Sequence, residues 1–366
     1  MAADRLSRRD TLDETDTLTH MDDATPGVSY VMPVLNEAVY IENAVLTVLG
    51  QDYAGDKEVI LALGPSNDGT TEIVEALAAA DPRIIIVHNP ETDIPVGLNL
   101  AIAASSHPII VRVDAHSELE PGYTTRAIQT LQRTGAANVG GVMRASGRTP
   151  FQLAAAHGYN SKFGLGGGRY HGGTEEGEAE SAYLGVFRRE VLDEVGGFDE
   201  TLKRGEDWEL NLRIRAAGHL VWFDPELAVT YWPRENWNKL GRQFAATGTW
   251  RGELVRRYGG RNPVRFFVPP LLLVNLVVSV ILAVLQLTGV IAGWPSAVAS
   301  LIYLGPLAYV VLVLSVAFGS KKGDSWRDKL LFVLVLPTMH LSWGAGFLVG
   351  LVRGARDTVD TSRTEI

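Results

Sequence analysis

From Phe266 to Ser320 the chain contains no Asp, Glu, Lys or Arg. A helix that crosses a bilayer needs roughly 20 apolar residues. This run is long enough for two, with a natural break at Gly293-Trp294-Pro295-Ser296. The expected spans are 267–290 and 297–318. A third uncharged stretch, Leu330 to Val352, contains Pro337 and is expected to form a kinked helix. The alternative, a set of buried helices in a large soluble protein, sits poorly with this because such helices usually keep a polar face. The reading therefore divides the chain into a lead-in over 1–26, a domain over 27–255, a membrane domain over 256–353 and a tail over 354–366.

Basic flanks orient the membrane part. Arg256, Arg257, Arg261 and Arg265 precede the first span, and Lys321, Lys322, Arg327 and Lys329 lie between the second and third. The positive-inside rule then places the 27–255 domain in the cytoplasm, at the cell (inner) membrane. Three spans would put the C-terminus outside, yet Arg353, Arg356 and Arg363 follow the third stretch. The choice between two spans, with a re-entrant third segment, and three stays open at this level. Residues 1–26 are polar, lack the apolar core of a secretory signal and are expected to be disordered.

Composition excludes several functions. The net charge of −9 argues against a nucleic-acid partner, which needs a basic face to meet phosphates. The absence of cysteine excludes disulfides, thiolate metal sites and cysteine nucleophiles, and fits a reducing compartment.

Within 27–255, short Val- and Ile-rich segments at 28–34, 58–63, 83–88 and 109–113 alternate with helical runs near 40–50, 69–80 and 96–105. That order predicts a doubly wound α/β sheet. Ligands of such sheets bind beyond the carboxyl ends of the strands. Three polar stretches fall there: Pro33 to Glu37, Gly64 to Gly69, and Asp114 to His116. Asn36 and Glu37 can touch a ligand or cap the next helix. Asp68 can accept a hydrogen bond from a base or serve as a turn residue. Asp114 and His116, two apart in an extended segment, point the same way and suit a divalent ion, Mg or Mn, bridging a diphosphate. Asp207, near the start of a helix that opens at Gly205-Glu206, is a candidate general base or an ordinary helix-end charge. Arg234, Arg242, Gln243 and Trp250 precede the membrane and suit headgroups, an acceptor or a diphosphate. The stretch Gly164–Gly173 holds six glycines and is expected to be a mobile loop.

Taken together, Pro33-Val34-Leu35-Asn36-Glu37, Asn67-Asp68-Gly69-Thr70, Gly97-Leu98-Asn99, Asp114-Ala115-His116, Phe198-Asp199-Glu200 and Glu206-Asp207 resemble, in order and spacing, the inverting glycosyltransferase family 2 with its GT-A fold. Several phrases resemble one branch, the succinoglycan-biosynthesis glucosyltransferases: Val111-Arg112-Val113-Asp114-Ala115-His116, Phe163 to Tyr170, and Arg204 to Arg213. The resemblance implies a nucleotide-sugar site at Pro33, Asn36, Glu37, Asp68, Gly97, Asn99 and Asp114. It implies metal ligands at Asp114 and His116, the base at Asp207, and acceptor or diphosphate contacts at Glu206, Arg234, Arg242, Gln243 and Trp250. Three departures stand out. Asn67 replaces the first Asp of the usual Asp-Asp-Gly, His116 replaces the last carboxylate of D-x-D, and the Gln-x-x-Arg-Trp element of processive members is only echoed by Gln243 and Trp250. Single-sugar addition is therefore expected. The expected reaction moves a sugar from a nucleotide-diphospho-sugar, uridine-linked by preference, to a hydroxyl of a lipid-linked or saccharide acceptor. The rival readings are a polyprenyl-phosphate glycosyltransferase, which needs no base, and an inactive nucleotide-sugar-binding membrane scaffold.

Overall fold

The computed structural model describes residues 25–164, 173–259, 262–319, 326–355 and 358. The expected disordered lead-in over 1–26 and the expected glycine-rich loop therefore fall almost wholly outside the described residues. So do Arg261, Lys321, Lys322, Arg356 and Arg363.

The first half alternates strand and helix: β1 (Val28–Val34), α1 (Ile41–Leu49), β2 (Lys57–Leu63), α2 (Thr70–Ala80), β3 (Ile84–His88), α3 (Ile94–Ala104) and β4 (Ile109–Arg112). Then come β5 (Ser117–Leu119), α4 (Tyr123–Thr134), β6 (Asn138–Ala145), α5 (Pro150–Asn160), β7 (Gly177–Glu178) and β8 (Tyr183–Arg188). The domain continues with α6 (Arg189–Val195), α7 (Glu206–Ala216), β9 (Val221–Tyr231) and α8 (Trp237–Tyr258). One mixed sheet runs β3-β2-β1-β4-β8-β6-β9-β5, with β7 pairing to β9.

β1 to β4 are parallel, as the alternating pattern requires. The doubly wound arrangement stops there. β8 runs antiparallel to both β4 and β6, and β5 runs antiparallel to β9. β8 pairs antiparallel with β6, the sheet neighbour that precedes it in the chain, and an antiparallel pairing needs no crossover connection.

The sheet is covered on both faces. Along β1, Val28, Tyr30, Met32 and Val34 face a core with Ile41 and Val45 of α1, Val74 of α2, and Ala127 and Leu131 of α4. Val31 faces the other way, onto Leu98 and Ala101 of α3 and Leu210 and Ile214 of α7. Burial on both faces explains why these strands read as continuous apolar runs.

Three long apolar helices follow. α9 (Val268–Leu287) is preceded by a short 3-10 turn, Val264–Phe267. α10 (Gly293–Ala299) and α11 (Leu304–Gly319) join through a 3-10 turn into one 27-residue helix, and α12 (Trp326–Arg353) contains Pro337. All three are long and apolar enough to cross a membrane. Asn275 meets Gly305, and Gln286 donates to Ser296 and Ser300, so α9 and α10–α11 form an antiparallel hairpin.

Candidate active site

Because β1, β2 and β4 are parallel, their carboxyl ends come level. Val34 pairs with Leu63, and Val31 with Arg112. Beyond that edge lies a cavity of about 460 Å³, within the range of small-molecule sites. Pro33 and Glu37 line it after β1, Asp114 and His116 after β4, and Glu206 and Asp207 at the start of α7. Arg234, Gln243 and Trp250 close it from β9 and α8, and Phe266 and Trp343 from the apolar C-terminal part. One space thus touches the strand ends and the candidate membrane helices.

Arg112 organises the acidic side of this space. Its side chain is buried, and the guanidinium bonds Asp114 Oδ1 at 3.2 Å and Glu206 Oε1 at 3.0 Å. Its other nitrogen donates to Asp207 Oδ1. Burial would favour the neutral arginine, but the charges of Asp114 and Glu206 outweigh it and hold the cation firmly protonated. Asp207 sits in the first turn of α7, where the helix dipole favours a carboxylate. With Oδ1 on Arg112, Oδ2 is the oxygen left to accept a proton.

His116 Nδ1 lies 2.9 Å from Glu37 Oε1. A carboxylate behind one ring nitrogen is the usual support for a histidine whose other nitrogen binds a metal. Asp114 and His116 share the cavity wall, so a carboxylate and a supported imidazole are on hand for a divalent ion. Among the described residues no group of three or more His, Cys, Asp or Glu is placed to hold a metal. Two donors alone would leave the rest of an ion's shell to ligand oxygens and water, the usual way Mg is held at diphosphate sites.

Buried tyrosines and a glutamine form the floor. Gln243 accepts from Tyr159 Oη at 3.0 Å and donates to Tyr231 Oη at 2.9 Å. Burial pushes the Tyr159 and Tyr183 hydroxyls well above their ordinary value, so both stay neutral. The basic side consists of Lys203, Arg204, Arg234, Arg251 and Arg265. Arg251 lies 4.2 Å from the Phe266 ring centroid and 5.3 Å from that of Trp208.

Several residues picked from the sequence stand away from the cavity wall. Asn36, at φ +53°, accepts from Asn67 N at 2.9 Å, and its own N–H donates to Ser66 Oγ at 3.0 Å. Asp68 accepts from Ala38 N at 3.1 Å and from Thr70 N and Oγ1. Burial tends to raise this carboxyl, but those hydrogen bonds leave it below its usual range. Together Asn36 and Asp68 stitch the ends of β1 and β2 into one rim. Asn99 clamps α3 to the backbone of Phe198 and to Glu200. Gly97 lets α3 press against the sheet: a Cβ there would stand 2.8 Å from Asn89 Nδ2. Arg242 is exposed on the far side of α8 from the cavity. Arg112 carries no role that sequence alone suggests. Its signal was a lone charge inside the apolar run Ile109 to Val113.

A mixed α/β sheet with acidic groups gathered past its parallel strand ends is the arrangement of a GT-A glycosyltransferase, and the comparisons with known proteins agree. The chain belongs to glycosyltransferase family 2: the profile described as "Glycosyl transferase family 2" matches residues 29–196. The succinoglycan biosynthesis protein ExoA of Rhizobium meliloti (strain 1021) is 30% identical over 319 residues, 87% of this chain and 92% of that protein. A Methanococcus voltae dolichyl N-acetyl-alpha-D-glucosaminyl phosphate 3-beta-D-2,3-diacetamido-2,3-dideoxy-beta-D-glucuronosyltransferase is 23% identical over 63% of this chain and 74% of its own length. Among solved structures, the mannosyltransferase PcManGT from Pyrobaculum calidifontis, in complex with GDP-Man and Mn2+, superposes with a TM-score of 0.60. It is 19% identical, over 90% of this chain and 88% of that one, and so supports the shared fold.

Proposed function

We propose that this enzyme transfers a single sugar, with inversion, from a nucleotide-diphospho-sugar to a hydroxyl of a lipid-linked acceptor in polysaccharide or cell-envelope glycan synthesis. The observation that carries the proposal is the shared cavity: Asp207, Asp114 and His116 line the same space as Phe266 and Trp343 of the apolar C-terminal part. A soluble donor has access from the strand ends, and an acceptor anchored in lipid has access from the other side.

In this reading the rim stitched by Asn36 and Asp68 shapes the nucleotide pocket, and Pro33 and Glu37 border it. Asp114 and His116 would hold a divalent ion, Mg or Mn, which would supply positive charge against the leaving diphosphate. Arg204, Arg234 and Arg251 supply fixed positive charge for phosphate oxygens. Asp207 Oδ2 takes the proton of the acceptor hydroxyl as that oxygen attacks the anomeric carbon, and Arg112 on Oδ1 fixes the angle of the carboxylate. Alignment of two substrates in one cavity lowers the barrier by up to roughly 7–11 kcal/mol in favourable cases. The catalytic domain lies on the cytoplasmic side, where nucleotide-sugars are supplied. The relative ExoA, named for succinoglycan biosynthesis, supports a polysaccharide role. Uridine is the nucleotide we put forward; the GDP-Man held by PcManGT makes a guanosine donor the alternative to screen.

The test is a screen of UDP- and GDP-sugars against membranes that contain the enzyme, with products read by mass. A glycolipid one sugar heavier, formed from one donor class, is the expected result. Tight UDP binding with no transfer from any donor would instead support the inactive scaffold.

A further inference from the structure

Helix α12 differs from the two apolar helices before it. In the most apolar window of each of those, 11% of residues are buried within the protein; in α12 the share is 44%. The N-terminal domain covers much of it. α8 and α12 run side by side in the same direction: Gly241 meets Ser342, Gly248 meets Trp343, Gly252 meets Phe347 and Leu351, and Gly354 meets Glu253 and Arg256. Glycine lets the two backbones touch. A Cβ on Gly346 would stand 2.0 Å from Ala245 O, and one on Gly350 1.9 Å from Thr249 O. The earlier half of α12 packs on α5: Gly158 meets Met339, the His157 and Phe332 rings stack at 4.2 Å, and His340 Nε2 lies 2.8 Å from Phe163 O.

α8 is fixed to the catalytic domain. Gln243 bonds Tyr231, Arg257 donates to Thr201, and Tyr258 to Glu209. It also carries Lys239, Arg242, Arg251, Glu253, Arg256 and Arg257. If α12 crossed the bilayer, α8 alongside it would carry those charges to membrane depth, which is strongly unfavourable. The contacts to the hairpin point the same way. α12 meets α9 at its start, through Gly344 on Pro269 and Pro270. It meets the later half of the joined α10–α11 helix, through His340 on Tyr309 and through Phe332 and Val335 in a cluster with Val313 and Ala317. Both contacts fall at the hairpin's base, the end away from its turn.

We infer that α12 does not span the membrane: it lies beneath the α9/α10–α11 hairpin, along the membrane-facing side of the catalytic domain, and returns the C-terminus to the side of that domain. Its outward residues Trp326, Leu334 and Val349 are exposed and face the headgroup and acyl boundary, while Val352, 79% exposed, lies at the helix end toward water. Two spans rather than three also place Arg353, Arg356 and Arg363 on the cytoplasmic side, as the positive-inside rule asks. The inference rests on the hairpin being embedded in the membrane.

The chain has no cysteine, so single-cysteine variants report position without background. Glu72→Cys marks the catalytic domain, Val290→Cys the hairpin turn, and Val352→Cys the end of α12. Each is treated with a membrane-impermeant maleimide in right-side-out and in inverted vesicles. Labelling of Val352→Cys on the face that labels Glu72→Cys, with Val290→Cys on the opposite face, is the expected pattern. Labelling of Val352→Cys together with Val290→Cys would overturn the inference. So would protection of Val352→Cys on both faces with labelling only after detergent, because that puts the residue in hydrocarbon. Glu72→Cys and Val290→Cys on one face would show instead that the hairpin does not cross, a failure of the membrane reading itself.

Discussion

Arg112→Met replaces a buried cation with an apolar side chain of similar length. Arg112 is 4% exposed and faces Asp114, Glu206 and Asp207. Breaking a buried ion pair from one side costs about 3–5 kcal/mol, because the abandoned charge stays buried. Here the Asp114 and Asp207 side chains keep 18% and 27% of their exposure, while Glu206 keeps 9%. Water can reach two of the three, which favours the lower end, about 3 kcal/mol. For a domain of this size each kcal/mol moves Tm by about 2–4 °C, so a fall of about 6–12 °C is expected. Scanning fluorimetry of the detergent-solubilised protein, without donor, measures it at neutral pH. Adding Glu206→Gln to Arg112→Met should recover part of the loss, since one orphaned charge is gone. A Tm within about 2 °C of wild type for Arg112→Met, or a further drop in the double variant, would refute the view that Arg112 neutralises this cluster.

Two further outcomes follow from local geometry. Burial raises the Glu58 carboxyl, but hydrogen bonds from Ser29 Oγ at 2.6 Å and Ser106 N at 2.6 Å more than offset it and leave the group below its usual range. A carboxyl depressed in the folded state adds stability above its unfolded value of about 4.3 and loses it as pH falls through the folded value. Glu58→Gln should therefore flatten the acid limb of a Tm-against-pH curve, and an unchanged limb would contradict this. Glu37→Gln removes the carboxylate behind His116 Nδ1. Losing such a support typically costs 10–100-fold in metal affinity. Titration of Mn2+ followed by electron paramagnetic resonance, with UDP present, should show that loss, and equal affinity would show that the pair is structural.

Much of the fold was legible because the first four strands are buried on both faces. Expected segments 28–34 and 58–63 became Val28–Val34 and Lys57–Leu63. The apolar stretches likewise reported their helices, with α12 opening at Trp326 rather than residue 330. Hydropathy did not reveal what α12 packs against. Its glycines look like ordinary membrane-helix glycines until Gly346 and Gly350 meet α8. The mixed half of the sheet was hidden because strand direction leaves no periodic trace in β8. At the site, carboxylates past strand ends were legible from chain order alone. The inward turn of Asn36 and Asp68 was not, since each satisfies backbone N–H groups of the facing loop, a pairing across about 30 residues. Arg112 was visible as a charge within an apolar strand, but its three partners come together only through the fold.

The account turns on Asp207 acting on the acceptor hydroxyl inside the shared cavity. The direct test is single-turnover transfer by Asp207→Asn, with donor binding measured on the same preparation by calorimetry. The account predicts unchanged donor affinity and transfer slowed about 10²–10⁴-fold, the usual contribution of a general base. Transfer at the wild-type rate, above all to a polyprenyl monophosphate, would contradict it and favour an acceptor that needs no base.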